Sequence, residues 1–127
     1  MNWALCAGAL LGASSVLLGA LGAHGMNDVF DEFPAKKKAF RNAVDYQMIH
    51  ALILVCLGSF KYIPNFRLPD YLWKFFCLSI FGFSFSIYCW VFGGPKWLVH
   101  ITPLGGIGFV ISWVLLLRLI WLNRRIG

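Results

Sequence analysis

Four apolar stretches, each about 20 residues long, alternate with three short polar segments along the chain. That is the length a helix needs to cross the hydrocarbon core of a bilayer. The first stretch, Trp3–Ala23, contains no charged residue. Its small residues Ala4, Gly8, Gly12, Ser15, Gly19, and Gly22 or Ala23 recur at spacings of three and four. That rhythm puts them on one helical face, where another backbone can approach closely. Met1-Asn2-Trp3 lacks the positive charge of a secretory leader, so a retained, centrally packed span is expected.

The polar connection Asn27–Glu32 carries Asp28, Asp31 and Glu32. Pro34 follows, a residue suited to the first turn of a helix. From there to Phe60 only Gly58 interrupts, so one long helix is predicted. At helical rise it runs about 40 Å, longer than the membrane core. Lys36, Lys37, Lys38 and Arg41 fall on its projecting end, and its membrane portion begins near Ala43. Pro64 and Pro69 mark the loop Lys61–Asp70, after which Tyr71–Phe92 forms a third span with Lys74 placed to snorkel. A tight Gly93-Gly94-Pro95 turn leads to the fourth, Trp97–Leu122, closed by Asn123, Arg124 and Arg125. The expectation is an all-α membrane protein of a single domain. Four transmembrane helices, about 3–23, 43–61, 71–92 and 97–122, form an up-down bundle. Helix 2 extends beyond the membrane, and helix 4 is distorted near Pro103.

Composition agrees: 60% of the 127 residues are hydrophobic and only 13% are charged, too few for a water-soluble surface. Trp and Tyr collect near the span ends (Trp3, Tyr62, Tyr71, Trp73, Trp90, Trp97 and Trp121), as in interfacial belts. The net charge of +6 sits in short loops and at the C-terminus, where it faces lipid headgroups; no nucleic-acid partner is expected. Six basic residues (Lys61, Arg67, Lys74, Arg118, Arg124 and Arg125) fall on the side of the termini, against five (Lys36, Lys37, Lys38, Arg41 and Lys96) on the other. The balance leans to cytoplasmic termini and leaves dual topology open. Cys6, Cys56, Cys77 and Cys89 form no C-x-x-C pair and read as small hydrophobes.

Most polar and helix-distorting residues of the spans fall in three blocks: Gly19–Gly25, Ala43–Leu52 and Ile101–Gly106. Alternating topology brings these to one side, with His24, His50 and His100 in one leaflet. The candidate functional cluster is His24, Gln47, His50 and Thr102. Its plain reading is a hydrogen-bond network of Gln47, His50 and Thr102 locking the first, second and fourth spans. The sharper reading makes the histidines ligands to a metal or haem, or a proton site. No carboxylate or thiolate stands at ligand spacing, so no metal and no cofactor are expected. Asp45 lies near the interface, wet or paired with Arg41. Gly8, Gly12, Gly19, Gly22, Gly105 and Gly106 are assigned to helix packing, with the Gly105 group set against the glycine face of the first span. Leucine at Gly12 or Gly105 is therefore expected to disturb assembly more than any Cys→Ala change. Ser14, Ser15, Ser84 and Ser86 are expected to bond to carbonyls one turn back, not to act as nucleophiles.

The blocks GALGAHG, AVDYQMIHAL and ITPLGG, in this order over four spans, resemble domain-of-unknown-function family 423. That family joins small bacterial inner-membrane proteins to mitochondrial transmembrane protein 256. The resemblance implies a four-helix membrane protein in the bacterial inner or plasma membrane, or the mitochondrial inner membrane in a eukaryote. It implies no enzymatic activity, cofactor or substrate. The chain departs from the family pattern at Asp45, Ile49, Phe85 and Val99, and His100 falls outside the motif positions. Only His24 and His50 remain as a family-like pair.

The function expected is that of a structural, accessory or assembly component acting with a membrane-protein partner or as a homo-oligomer. The alternatives are a small oligomeric transporter or channel, and a protein that binds a cofactor through histidine. A transporter reading lacks a membrane-embedded carboxylate and falls back on His50.

Overall fold

The structure, a computed structural model, describes residues 1–66 and 68–123. Arg67, Arg124 and Arg125, which entered the charge balance, lie outside the described residues. Helix α1 (Trp3–His24) is followed by the short α2 (Asn27–Glu32) and the long α3 (Pro34–Phe60). The third span comprises α4 (Asp70–Ile80), a π-helical segment Phe81–Phe85 and α5 (Ser86–Val91). A 3-10 turn, Lys96–His100, leads into α6 (Thr102–Asn123). Four of these units are long and apolar enough to cross a membrane.

Local chemistry accounts for the boundaries. Asn2 caps α1 by accepting the Leu5 N–H at 3.2 Å, and its amide donates to the Gly58 carbonyl at 2.7 Å. One side chain thus starts the first helix and ties it to the end of α3. Pro34 occupies the first turn of α3, where no intrahelical donor is needed. Gly93 turns the chain with φ +103°, a left-handed conformation that favours glycine, and the Gly94 N–H closes on the Cys89 carbonyl at 2.8 Å.

The fourth span is distorted near Pro103, as expected, and the distortion lies at its start. The backbone changes from 3-10 to α at Ile101, and Pro103 stands in the first turn of α6, where its missing N–H leaves no gap. The third span is not one unbroken α-helix, because the π turn inserts an extra residue around Gly82.

Packing follows from backbone contact, since lipid tails are as apolar as the side chains and give helices no hydrophobic drive to associate. A Cβ on Gly8 would stand 2.8 Å from the Val55 nitrogen, and one on Gly58 would stand 2.7 Å from the Leu5 nitrogen. The two glycines therefore let α1 and α3 touch from both sides. At the other end of this seam, a Cβ on Gly22 would meet the Phe40 ring at 2.6 Å. Gly12 and Gly19 are looser, with their nearest neighbours at 3.8 Å (Ala51 Cβ) and 3.5 Å (Val44 Cγ1).

The partner of Gly105 differs from the one expected. It lies against the backbone of Gly82 and Phe83 in the π segment, not against α1. Gly106 has only the Phe83 ring near it, at 3.9 Å, and a Cβ on Gly108 would stand 2.5 Å from Ser79 Oγ. The bulged turn pushes its own backbone toward α6, so the glycines of α6 face the third span. Apolar packing completes the bundle in two clusters. Leu54, Leu57, Leu72, Phe76, Ile80 and Phe109 fill one half, and Met26, Phe30, Phe40, Ala43, Tyr88 and Val91 fill the other.

Candidate functional site

Inside lipid every buried polar group needs a partner from the protein itself. Gln47, on the inner face of α3, is fully buried and uses all of its amide. Its Nε2 donates to the Leu11 carbonyl and to Ser14 Oγ, each at 2.8 Å, and its Oε1 accepts the Tyr88 hydroxyl at 2.8 Å. Ser14 in turn donates to the Leu11 carbonyl at 3.1 Å. One side chain of the second span therefore holds the first and the third.

A turn earlier, two serines reach the same helix from opposite sides. Ser15 Oγ donates to the Val44 carbonyl at 3.1 Å, and Ser84 Oγ donates to the Ala43 carbonyl at 2.7 Å. Both were expected to bond within their own helices. Ser86 does so, approaching the Gly82 and Phe83 carbonyls at 2.8 Å each, and Ser14 bonds three residues back.

His50 is buried and stacks on Phe109, with ring centroids 3.7 Å apart and planes 16° from parallel. Its Nδ1 lies 2.7 Å from the Tyr46 carbonyl, and its Nε2 lies 3.2 Å from the indole nitrogen of Trp113. A carbonyl can only accept and an indole N–H can only donate. The pair of contacts therefore requires a proton on Nδ1 and a lone pair on Nε2 directed at Trp113. Tyr46 stacks on Phe83 beside it at 4.6 Å, so the histidine sits within an aromatic cluster.

The four residues singled out from the sequence are not gathered into one site. Gln47 and His50 are buried on neighbouring strips of α3 with separate partners. Thr102 pairs with Ser86 at 2.8 Å, joining the start of α6 to the third span. His24 closes α1 and is exposed, as is His100 at the end of the 3-10 turn. His50 lies deeper than either. Its partner Trp113 stands about 16 Å along α6 from Thr102 by helical rise.

Tyr88, Ser14, Ser84 and Trp113 belong to the seam and were not in the candidate set. A signal existed for two of them. Trp113 carries its polar handle far from the span ends, where interfacial aromatics belong, and Tyr88 carries a hydroxyl that needs a partner when buried.

Chemically, this arrangement clamps helices. The imidazole of His50 spends its lone pair on Trp113, and both the amide nitrogen and the carbonyl oxygen of Gln47 are engaged. Among the described residues, no three His, Cys, Asp or Glu side chains gather as metal ligands. The buried side-chain polar atom left without a partner there is Asn123 Nδ2, at the far end of α6.

The sequence model of the family described as "Protein of unknown function (DUF423)" matches residues 18–106, well over half of the chain. The chain belongs to this family. The matched stretch holds Gln47, His50, Tyr88 and Thr102, whereas Ser14 and Trp113 fall outside it. Similar proteins include a UPF0382 membrane protein of Staphylococcus aureus, 34% identical over 110 residues, covering 87% of this chain and 88% of the relative. Another, from Haemophilus influenzae, is 34% identical over 109 residues, covering 84% and 83%. A third, from Staphylococcus epidermidis, is 33% identical over 109 residues, covering 86% and 87%. No solved structure matches the chain. This DUF423 member is thus a membrane protein with four candidate spans.

Proposed function

We infer that this protein is a structural or accessory component of a membrane complex, or a homo-oligomer, and not an enzyme. The observation that carries this reading is the engagement of the buried polar groups in hydrogen bonds, those of Ser15, Gln47, His50 and Ser84 running between spans. Gln47 alone bonds to two other spans, and His50 bonds to the fourth. The faces left outward are apolar: Leu10 and Leu17 on α1 and Leu104 and Leu117 on α6 are each at least 66% exposed. Such faces suit lipid or another membrane protein. The same accounting weighs against transport, because no Asp or Glu lies deep in a span and His50 has no free nitrogen. The reading puts the protein in the inner or plasma membrane of a bacterium, or the mitochondrial inner membrane of a eukaryote.

Purification of the natively expressed, tagged protein in mild detergent tests it. Mass, co-purifying proteins and visible spectrum are recorded on one sample. A partner in fixed ratio, or a defined homo-oligomer, is expected, and the sample should be colourless. A strict monomer at native abundance would sink the accessory reading, and a coloured, metal-bearing sample would replace it with a cofactor site.

A further inference from the structure

Where α1, α2 and α3 meet, the bundle holds a cavity of about 420 Å³ that the polar seam does not use. Its volume lies within the ~300–1,000 Å³ range of small-ligand sites. The floor is apolar: Gly19 and Gly22 contribute no side chains, and Phe30 and Phe40 wall it. A Cβ at Gly19 would touch only Val44, at 3.5 Å, so the space above it is an open groove.

The rim has the opposite character. Lys37 and Arg41, one turn apart on α3, stand on it with Asn27 from the start of α2. A second cavity of about 420 Å³, which Lys38 and Asn42 also line, opens onto the same Lys37 and Arg41. Lys36 is not part of either; it is drawn to the rings of Phe33 and Trp90, 5.0 and 5.6 Å from their centroids. The carboxylates of α2 (Asp28, Asp31 and Glu32) line neither cavity, and Asp45 lines both. Two cations against one carboxylate leave one net positive charge, which matches the single negative charge of a phosphodiester.

Depth sorts the two characters correctly for a lipid. Lys37 and Val44 are separated by about 10 Å along α3. With the membrane portion of α3 beginning near Ala43, Lys37 and Arg41 fall at headgroup level, Gly22 beside Phe40 is level with them, and Gly19 beside Val44 stands at the edge of the acyl region. A guanidinium holds phosphate with two parallel bonds, and a nearby lysine adds a point charge. Free phosphate would use the rim and leave the apolar floor without purpose.

We propose that this cleft is a phospholipid-binding site, the phosphodiester held between Lys37 and Arg41 and the head of an acyl chain lying over Gly19. The site is independent of the oligomeric state and of any protein partner.

The test is native mass spectrometry of the full chain, delipidated in mild detergent and titrated with phosphatidylglycerol, diacylglycerol or inorganic phosphate. One phosphatidylglycerol per chain is expected to be retained, with diacylglycerol held about tenfold less, the scale of losing a charge-assisted contact. The double variant Lys37→Gln/Arg41→Gln changes only exposed side chains and should lower phosphatidylglycerol occupancy about tenfold. Gly19→Leu fills the floor without altering charge and should have a comparable effect. Lys61→Gln/Lys74→Gln, at the opposite end, should leave occupancy unchanged; circular dichroism verifies that each variant is folded. Undiminished retention by the charge-neutralised variant, or equal retention of diacylglycerol, overturns the proposal. So does displacement of the lipid by inorganic phosphate alone, which would make the rim a free-anion site.

Discussion

Gln47 and His50 stand less than one turn apart on α3, yet they fasten different parts of the molecule by different means. Gln47 works through three short polar bonds and ties the second span to the first and third. His50 works largely through ring stacking on Phe109 and adds a single longer bond to Trp113, tying the second span to the fourth. The first junction fails when a bond is removed, since each partner is left unpaired in an apolar interior. The second depends on flat aromatic surface, which another aromatic residue can supply. Glycines divide in the same way. Gly8, Gly58 and Gly105 admit backbone, whereas Gly12 and Gly106 merely adjoin side chains.

The sharpest way to break this comparison is at Gly105. Its added methyl would overlap the backbone of Phe83, which cannot swing aside, so Gly105→Ala should destabilise by about 3 kcal/mol or more, the upper range of overpacking. Unfolding by denaturing detergent, followed by circular dichroism, measures this; a wild-type midpoint would mean that the π segment does not seat α6. Next comes Gln47→Leu, which strands the Tyr88 hydroxyl and should lose about 2 kcal/mol in the same assay. A double-mutant cycle with Tyr88→Phe should return a coupling of about 0.6–1.7 kcal/mol, the range of interhelical bonds in membranes. Additive losses would show that the two side chains do not act together.

His50→Phe preserves the stack but strands the Trp113 indole N–H, whose bond is longer than those of Gln47, and should lose about 1 kcal/mol. If it proved as damaging as Gln47→Leu, the polar contact to Trp113 would be the stronger element and the contrast drawn here would fail. Smallest of all is Gly12→Ala, expected within about 0.5 kcal/mol because the nearest atom to the new methyl lies 3.8 Å away. That separates Gly12 from Gly105, which the sequence placed side by side as disruptive sites.

Much of this architecture is legible in the sequence. The four candidate spans, the length of α3 and the polar character of Gln47, His50 and Thr102 all follow from apolar run length and from what interrupts it. The division between Gln47 and His50 was not legible. Three residues along a helix leave two side chains about 60° apart around its axis, close enough to share a face and far enough to meet different neighbours. Nor was the π turn visible: Phe81–Phe85 reads as ordinary apolar helix, and the extra residue shows only in the backbone bonding. Ser15 and Ser84 illustrate a related ambiguity. A serine in a span can bond to its own helix or to its neighbour, and the distance to that neighbour decides.

By itself, then, the sequence determined the number of spans, their approximate ends and the few positions where polarity must be satisfied inside lipid. Hydrophobic run length against bilayer thickness was enough for that. Tertiary structure alone decided which groups satisfy one another: Gln47 with Tyr88, His50 with Trp113 and Gly105 with the bulged backbone of the third span. Hydrophobicity cannot choose among apolar faces when the solvent is itself apolar, so partners are selected by hydrogen-bond closure and by how near two backbones can come.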